Sequence, residues 1–221
     1  MASRQPTPCA GCSTKTRVAR PGEVALLDAD GRAAAHTGSA CVAAAGHLTR
    51  DSVSVQANMM TDDTVWPAML AAYERATGDL ATRLVAALAA AEASGGDIRG
   101  RQSAALLVVA GTRAEKPWQG RLFDLRVDDH PDPVVEIARV LRVKRAQNAQ
   151  SRFVGAATAG QMEEAVDALR QAVELAPESG ETRLAAAMAC FVPGAARGST
   201  KDPARPVRHQ AAPRGVDGSN D

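Results

Sequence analysis

Apolar and polar residues first fall into a regular pattern at Val24. Val24-Ala-Leu-Leu27 and Ala33 to His36 are short apolar runs joined by Asp28-Ala-Asp-Gly31, and this spacing predicts a β-hairpin whose glycine takes the position that tolerates positive φ. Val53, Val55 and Ala57 then alternate with Ser52, Ser54 and Gln56, a period of two that predicts a third strand with one polar face. From Thr64 the period lengthens. Trp66, Met69, Leu70 and Tyr73 recur at the spacing of a helical stripe, and after Gly78 a second stripe of Leu80, Leu84, Val85 and Leu88 runs to the glycine stop Ser94-Gly95-Gly96. Ser103 to Val109 and Arg121 to Val127 predict two further strands, the first apolar on both faces and therefore expected in the centre of its sheet. Asp132 follows as an N-cap with Pro133 at the first helical position, and Val134, Ile137 and Leu141 mark a third helix.

This order of elements predicts an α/β fold with helices packed on sheet. Residues 1–22 mix Pro, Gly, Ser, Thr and Arg without apolar period and read as a disordered leader, so the α/β domain is expected over 23–145. A helical unit is expected over 146–192, its two amphipathic stretches divided at Ala176-Pro177-Glu-Ser-Gly180, and residues 193–221 read as a disordered tail.

Composition narrows the functional classes. With 45% hydrophobic but only 3% aromatic residues, the core must be built from Ala, Val and Leu. The 26 Lys and Arg against 25 Asp and Glu leave a net charge of +1, which provides no field for nucleic acid or an anionic membrane; neither is expected as a partner. No apolar run is long enough to span a bilayer and residues 1–22 lack the apolar centre of a signal peptide, so the expected compartment is the cytoplasm. Cys9-Ala-Gly-Cys12 has the spacing of half a zinc site, but Cys41 and His47 do not form a matching second pair, and no apolar strand precedes it as a redox motif requires. Neither metal nor cofactor is expected.

The segments VALLDADGRAAAHTGSAC, AGH, SVQANMM, GGDIRGRQSAALLVV and RLFDLRVDDHPDP, in that order, closely resemble the bacterial family called domain of unknown function 1028, over about Val24 to Leu141. That resemblance implies an N-terminal nucleophile hydrolase-like fold, a four-layer αββα sandwich of which this chain holds a part, followed here by a helical hairpin. It also implies amide hydrolysis through an acyl-enzyme, with a terminal Ser, Thr or Cys whose own α-amine serves as base. Members open with a strand pair beginning Thr-Phe-Ser or similar. Here the leader stands instead, and removal of Met1 exposes Ala2, which has no nucleophile; a terminus created before Thr37 is the other route, although Thr37 reads as the end of a strand. The isolated chain is therefore expected to lack turnover. Ser151 to Met188 resembles a single tetratricopeptide unit, with Gly160 at the inter-helix turn and Ala165, Leu169, Ala172 and Pro177 at its later spacings, which gives the alternative function of a non-enzymatic interaction module. A partial sandwich and a lone repeat both leave apolar faces, so self-association or a protein partner is expected.

Candidate site residues cluster after the second helix. Asp97, Arg99, Arg101, Gln102 and Ser103 place a carboxylate, two guanidinium forks, an amide and a hydroxyl within seven residues, a set able to hold an anionic small molecule or to fasten its own loop. Asn58 ends the third strand on the same face as Gln56, and the family resemblance marks it as a pocket or oxyanion donor. His130, next to Asp128 and Asp129, is a candidate for acid–base work or for capping the helix that follows. His47 follows Gly46 in an expected loop and is assigned no role. Arg139, Arg142, Lys144 and Arg145 read as charges near a helix C-terminus rather than an RNA surface, since no aromatic platform accompanies them.

Overall fold

The computed structural model describes residues 22–189, and these fall into two compact units divided between Ala146 and Gln147. In the first unit, β1 (Glu23–Leu27) and β2 (Ala33–Thr37) pair antiparallel with Leu27 opposite Ala33 and Glu23 opposite Thr37. Turn chemistry dictates this hairpin. The Asp28 carboxylate accepts from the backbone N–H groups of Asp30 (3.0 Å) and Arg32 (2.8 Å), while Gly31 adopts φ 80°. A second hairpin joins β3 (Gly46–Arg50) to β4 (Val53–Ala57) through Asp51-Ser52, with Ser52 at φ 59°. His47 thus lies in a strand, not in the expected loop. Leu48 is the one large apolar side chain of β3, too little to register as a strand on its own.

Two helices follow, α1 (Val65–Arg75) and α2 (Leu80–Ala93), packed against each other, with α1 also against β3 and β4. Asp79 caps α2 by accepting from Thr82 N, and Gly95 and Gly96 end it in left-handed conformations, φ 107° and 63°. The third sheet pairs β5 (Ala104–Val109) with β6 (Arg121–Val127). Its inner face, Leu106, Val108, Leu125 and Val127, closes a core with Ala81 of α2 and with Ile137 and Leu141 of α3 (Pro133–Thr158). Among the described residues β5 pairs with β6 alone rather than lying in the centre of its sheet, and Leu107 and Val109 on its other face are 60% and 58% exposed. The described sheets are three antiparallel pairs, which makes the fold a mixed α/β one.

The division between the units falls within α3, which runs on unbroken through Ala146. The sequence there, Lys144-Arg-Ala-Gln-Asn-Ala-Gln150, is polar but rich in good helix formers, and Ala146 and Ala149 are buried. The second unit comprises the end of α3, α4 (Met162–Leu175) and α5 (Gly180–Ala189), turned at Gly160 (φ 75°) and again after Ala176. Its interior is made of alanines, Ala149, Ala156, Ala165, Ala168, Ala172 and Ala176, whose small side chains allow close helix approach. Thr182 is buried among them and accepts from Gln150 Nε2 at 2.8 Å. Among the described residues no helix is long and apolar enough to cross a membrane. Cys9, Cys12, Cys190 and the segment 193–221 lie outside the described residues.

Candidate functional site

The two N-terminal hairpins lie against each other, β2 contacting both β3 and β4. Side chains alternate along β3 and β4, so each face of this hairpin has its own neighbours. One face belongs to α1: Gly46 lies so close to Trp66 that a Cβ there would fall 2.5 Å from Cε2 of the indole, and Val55 and Ala57 are buried. The other carries the cross-strand pair His47 and Gln56, and it meets β2, because His47 Nδ1 lies 2.7 Å from Thr37 Oγ1. Thr37 Oγ1 in turn donates to Glu23 Oε1 at 3.0 Å, its directly opposite partner in the β1–β2 register. Gln56 Nε2 donates to Ser54 Oγ on the same strand face. Glu23, Thr37, His47, Ser54 and Gln56 are all half-buried, so a polar seam runs between the hairpins.

Sequence reasoning missed this seam. Its signal was the alternation of Gly46 and Leu48 with His47 and Thr49, continued across a two-residue turn by Val53, Ser54, Val55 and Gln56.

Beyond β4 the backbone is pinned on both sides. Met60 N donates to Ala44 O (3.1 Å), Ile98 N to Met59 O (2.9 Å) and Thr61 N to Gly96 O (3.0 Å), and Met60 bridges to Asp97. Met59 and Ala44 are held at φ 62° and 57°. Asn58, just before this turn, has its amide Oδ1 buried, with no hydrogen-bond partner among the described residues.

The loop from Asp97 to Ser103 forms a clasp. Asp97 takes Arg99 through three contacts, from the backbone N (2.8 Å), Nε (2.9 Å) and Nη2 (2.5 Å), and the guanidinium bond holds the Asp97 carboxyl below the usual carboxylate range. Arg101 reaches Glu92 of α2 through Nε (2.5 Å) and Asp132, before α3, through Nη1 (2.7 Å). Both forks proposed for a ligand carboxylate are thus engaged by the protein's own carboxylates, and Gln102 and Ser103 are exposed. His130 N donates to Gln102 O (2.9 Å), and His130 Nδ1 accepts from Asp132 N (3.0 Å), just ahead of α3. The structure therefore joins Asp97, Arg99, Arg101, Gln102 and His130 into one fastening, linked through the Met60 bridge to the strand end that bears Asn58. Among the described residues no group of three His, Cys, Asp or Glu side chains is placed to hold a metal ion.

Residues 14–137, more than half of the chain, match the model of a family described as a family of unknown function, DUF1028. The chain belongs to this family. The DUF1028 match starts ten residues ahead of Val24, so residues 14–22, read above as leader, fall within it. No curated protein matches. A solved structure that the chain is similar to is the crystal structure of protein SPO2555 from Silicibacter pomeroyi, described with the same family, at 33% identity and a TM-score of 0.46 over 54% of this chain and 50% of that one. The chain thus spans about half the length of that relative.

Proposed function

We propose that the DUF1028 region of this chain is N-terminal nucleophile hydrolase-like, of amide-hydrolase class, and that the seam between the hairpins carries its proton-transfer and amide-recognition groups. The observation that carries this reading is the hydrogen-bonded chain of carboxylate, hydroxyl and imidazole, Glu23, Thr37 and His47, with the Gln56 carboxamide on the same strand face. An amide substrate presents one acceptor and one N–H donor. A carboxamide side chain complements both, and an imidazole moves the proton that amide cleavage requires. The acyl-accepting nucleophile is assigned to no seam residue, because the Thr37 hydroxyl donates its hydrogen to Glu23 rather than to the imidazole base, and the chain on its own binds amides rather than turning them over.

The test is a thermal-shift and calorimetric titration of the full chain with N-acetyl amino-acid amides and with the corresponding free amines. Saturable stabilisation by the amides, lost in His47→Ala and in Gln56→Leu, is the expected result. If no amide stabilises the wild type, or both variants keep the effect, the reading fails. A second reading, protein interaction through the tetratricopeptide-like helices, draws on the exposed Val154 (59%) and Leu184 (62%). It predicts that Leu184→Asp changes the mass seen by light scattering while the seam variants do not.

A further inference from the structure

The seam holds one proton whose position decides what His47 can do. Thr37 has a single hydroxyl hydrogen and two close neighbours, Glu23 Oε1 at 3.0 Å and His47 Nδ1 at 2.7 Å. As a carboxylate, Glu23 only accepts, so the hydroxyl hydrogen belongs to it. Were that hydrogen turned to His47 instead, a carboxylate oxygen and a hydroxyl oxygen would face each other at 3.0 Å with no proton between them. The short contact on the other side then needs a proton on Nδ1, donated to the hydroxyl lone pair.

We propose that Glu23 and Thr37 lock His47 in its Nδ1–H form, leaving the Nε2 lone pair as the proton-accepting atom of the seam. Glu23 and Thr37 are positioning residues in this scheme, and His47 is the group that meets the ligand. When Nε2 takes a proton from an O–H or N–H group, the imidazolium keeps its Nδ1–H bond to Thr37, and the new positive charge is balanced through that hydroxyl by the Glu23 carboxylate. The register makes the chain possible: Glu23 and Thr37 are cross-strand partners at the open end of their hairpin, and His47 reaches Thr37 from the adjoining hairpin. The use of Nε2 rests on the amide-hydrolase reading above; the tautomer does not.

The experiment is a long-range proton–nitrogen correlation spectrum of the uniformly nitrogen-15-labelled full chain, recorded on the high-pH plateau of the His47 signals. Expected are a protonated-type Nδ1 and a lone-pair-type Nε2 for His47, unchanged in Thr37→Ser. Thr37→Val, which keeps the shape but removes the hydroxyl, shifts His47 to the Nε2–H form that free histidine side chains favour. A wild-type His47 in the Nε2–H form overturns the proposal, and so does a folded Thr37→Val protein that keeps Nδ1–H. If the valine variant does not fold, the wild-type and serine spectra still decide. Failure of amide binding with the Nδ1–H form intact removes the functional reading alone, and an Nε2–H wild type that still binds amides removes the relay alone.

Discussion

One methyl group at position 46 is expected to disturb both the packing of α1 and the seam behind it. In Gly46→Ala the added Cβ falls 2.5 Å from Trp66 Cε2, 2.6 Å from Cζ2 and 3.0 Å from Nε1. Carbon atoms in contact sit about 3.5 to 4.0 Å apart, so the indole has to retreat by roughly 1 Å. It cannot do so freely, because α1 also buries Val65 (0% exposed), Leu70 (4%) and Tyr73 (9%). Overpacking of this kind costs about 1 to 3 kcal/mol. For a chain of this size each kcal/mol lowers Tm by about 2 to 4 °C, so a mid-range cost is a drop of about 4 to 8 °C. Urea unfolding followed by circular dichroism measures the loss, and the Trp66→Ala background identifies its cause. There the alanine at 46 has room and is expected to cost under about 0.5 kcal/mol, a coupling that independent sites do not show. A loss below about 0.5 kcal/mol in the wild-type background, or an equal loss in both, would refute the clash and with it the assignment of this face of β3 to α1.

Ile137, fully buried against the β5–β6 sheet, is expected to cost about 2 to 5 kcal/mol as Ile137→Ala, measured by the same unfolding assay. Partial burial raises the Asp79 pKa, but bonds from Thr82 N, Thr82 Oγ1 and Arg145 outweigh it and hold the carboxyl below the usual range. The advantage of wild type over Asp79→Asn should accordingly be complete above about pH 4 and disappear as pH falls through the lower folded value; a difference that stays flat down to pH ~2 contradicts this. Arg101→Ala, which removes two exposed pairs, is expected to cost about 1 kcal/mol or less, and dicarboxylates should stabilise wild type no more than the variant; selective stabilisation of wild type restores the ligand role of that loop. Acylating amidase probes should leave Thr37 unmodified by intact mass and peptide mapping, since its hydroxyl hydrogen is donated to Glu23 and not to the imidazole; a stoichiometric Thr37 adduct makes it the nucleophile after all.

The elements legible in the sequence are those whose signal is local. Asp28 and Gly31 announce the first hairpin because the turn is written in side-chain chemistry, and the α1 and α2 stripes repeat often enough to fix their period. β3 escapes because Gly46-His-Leu-Thr-Arg50 offers one large apolar residue in five. β5 differs for another reason: the run of apolar residues shows which side chains are apolar, not which face is covered, and among the described residues nothing covers Leu107 and Val109. The site divides in the same way. Asp97 to Ser103 draws the eye because its charges are close in sequence, yet that closeness lets Asp97 satisfy Arg99 within the loop. The seam is assembled from positions 23, 37, 47 and 56, which come together only through strand register, and register is not visible until the pairing is known.

The clasp and the strand end it fastens are physically connected. A non-glycine residue in the left-handed region costs about 1 to 3 kcal/mol and persists only where its surroundings over-determine it. Met59 and Ala44 are both in that region, and they lie on the two backbone segments joined by the Met60 N to Ala44 O bond. What holds Met59 there is the loop after α2, through Ile98 N and Gly96 O, and that loop is held in shape by Asp97 with Arg99 and by Arg101 with Glu92 and Asp132. The arginines that the sequence offers as anion ligands pair within this region with Asp97, Glu92 and Asp132. That turn fixes Asn58 at the end of β4, two residues past Gln56, with a buried acceptor that has no partner among the described residues. The two left-handed residues, the Asn58 acceptor and the polar seam therefore lie on one short stretch of backbone, so a substitution that releases the turn, such as Met59→Gly, is expected to change the surroundings of Asn58 and Gln56 together.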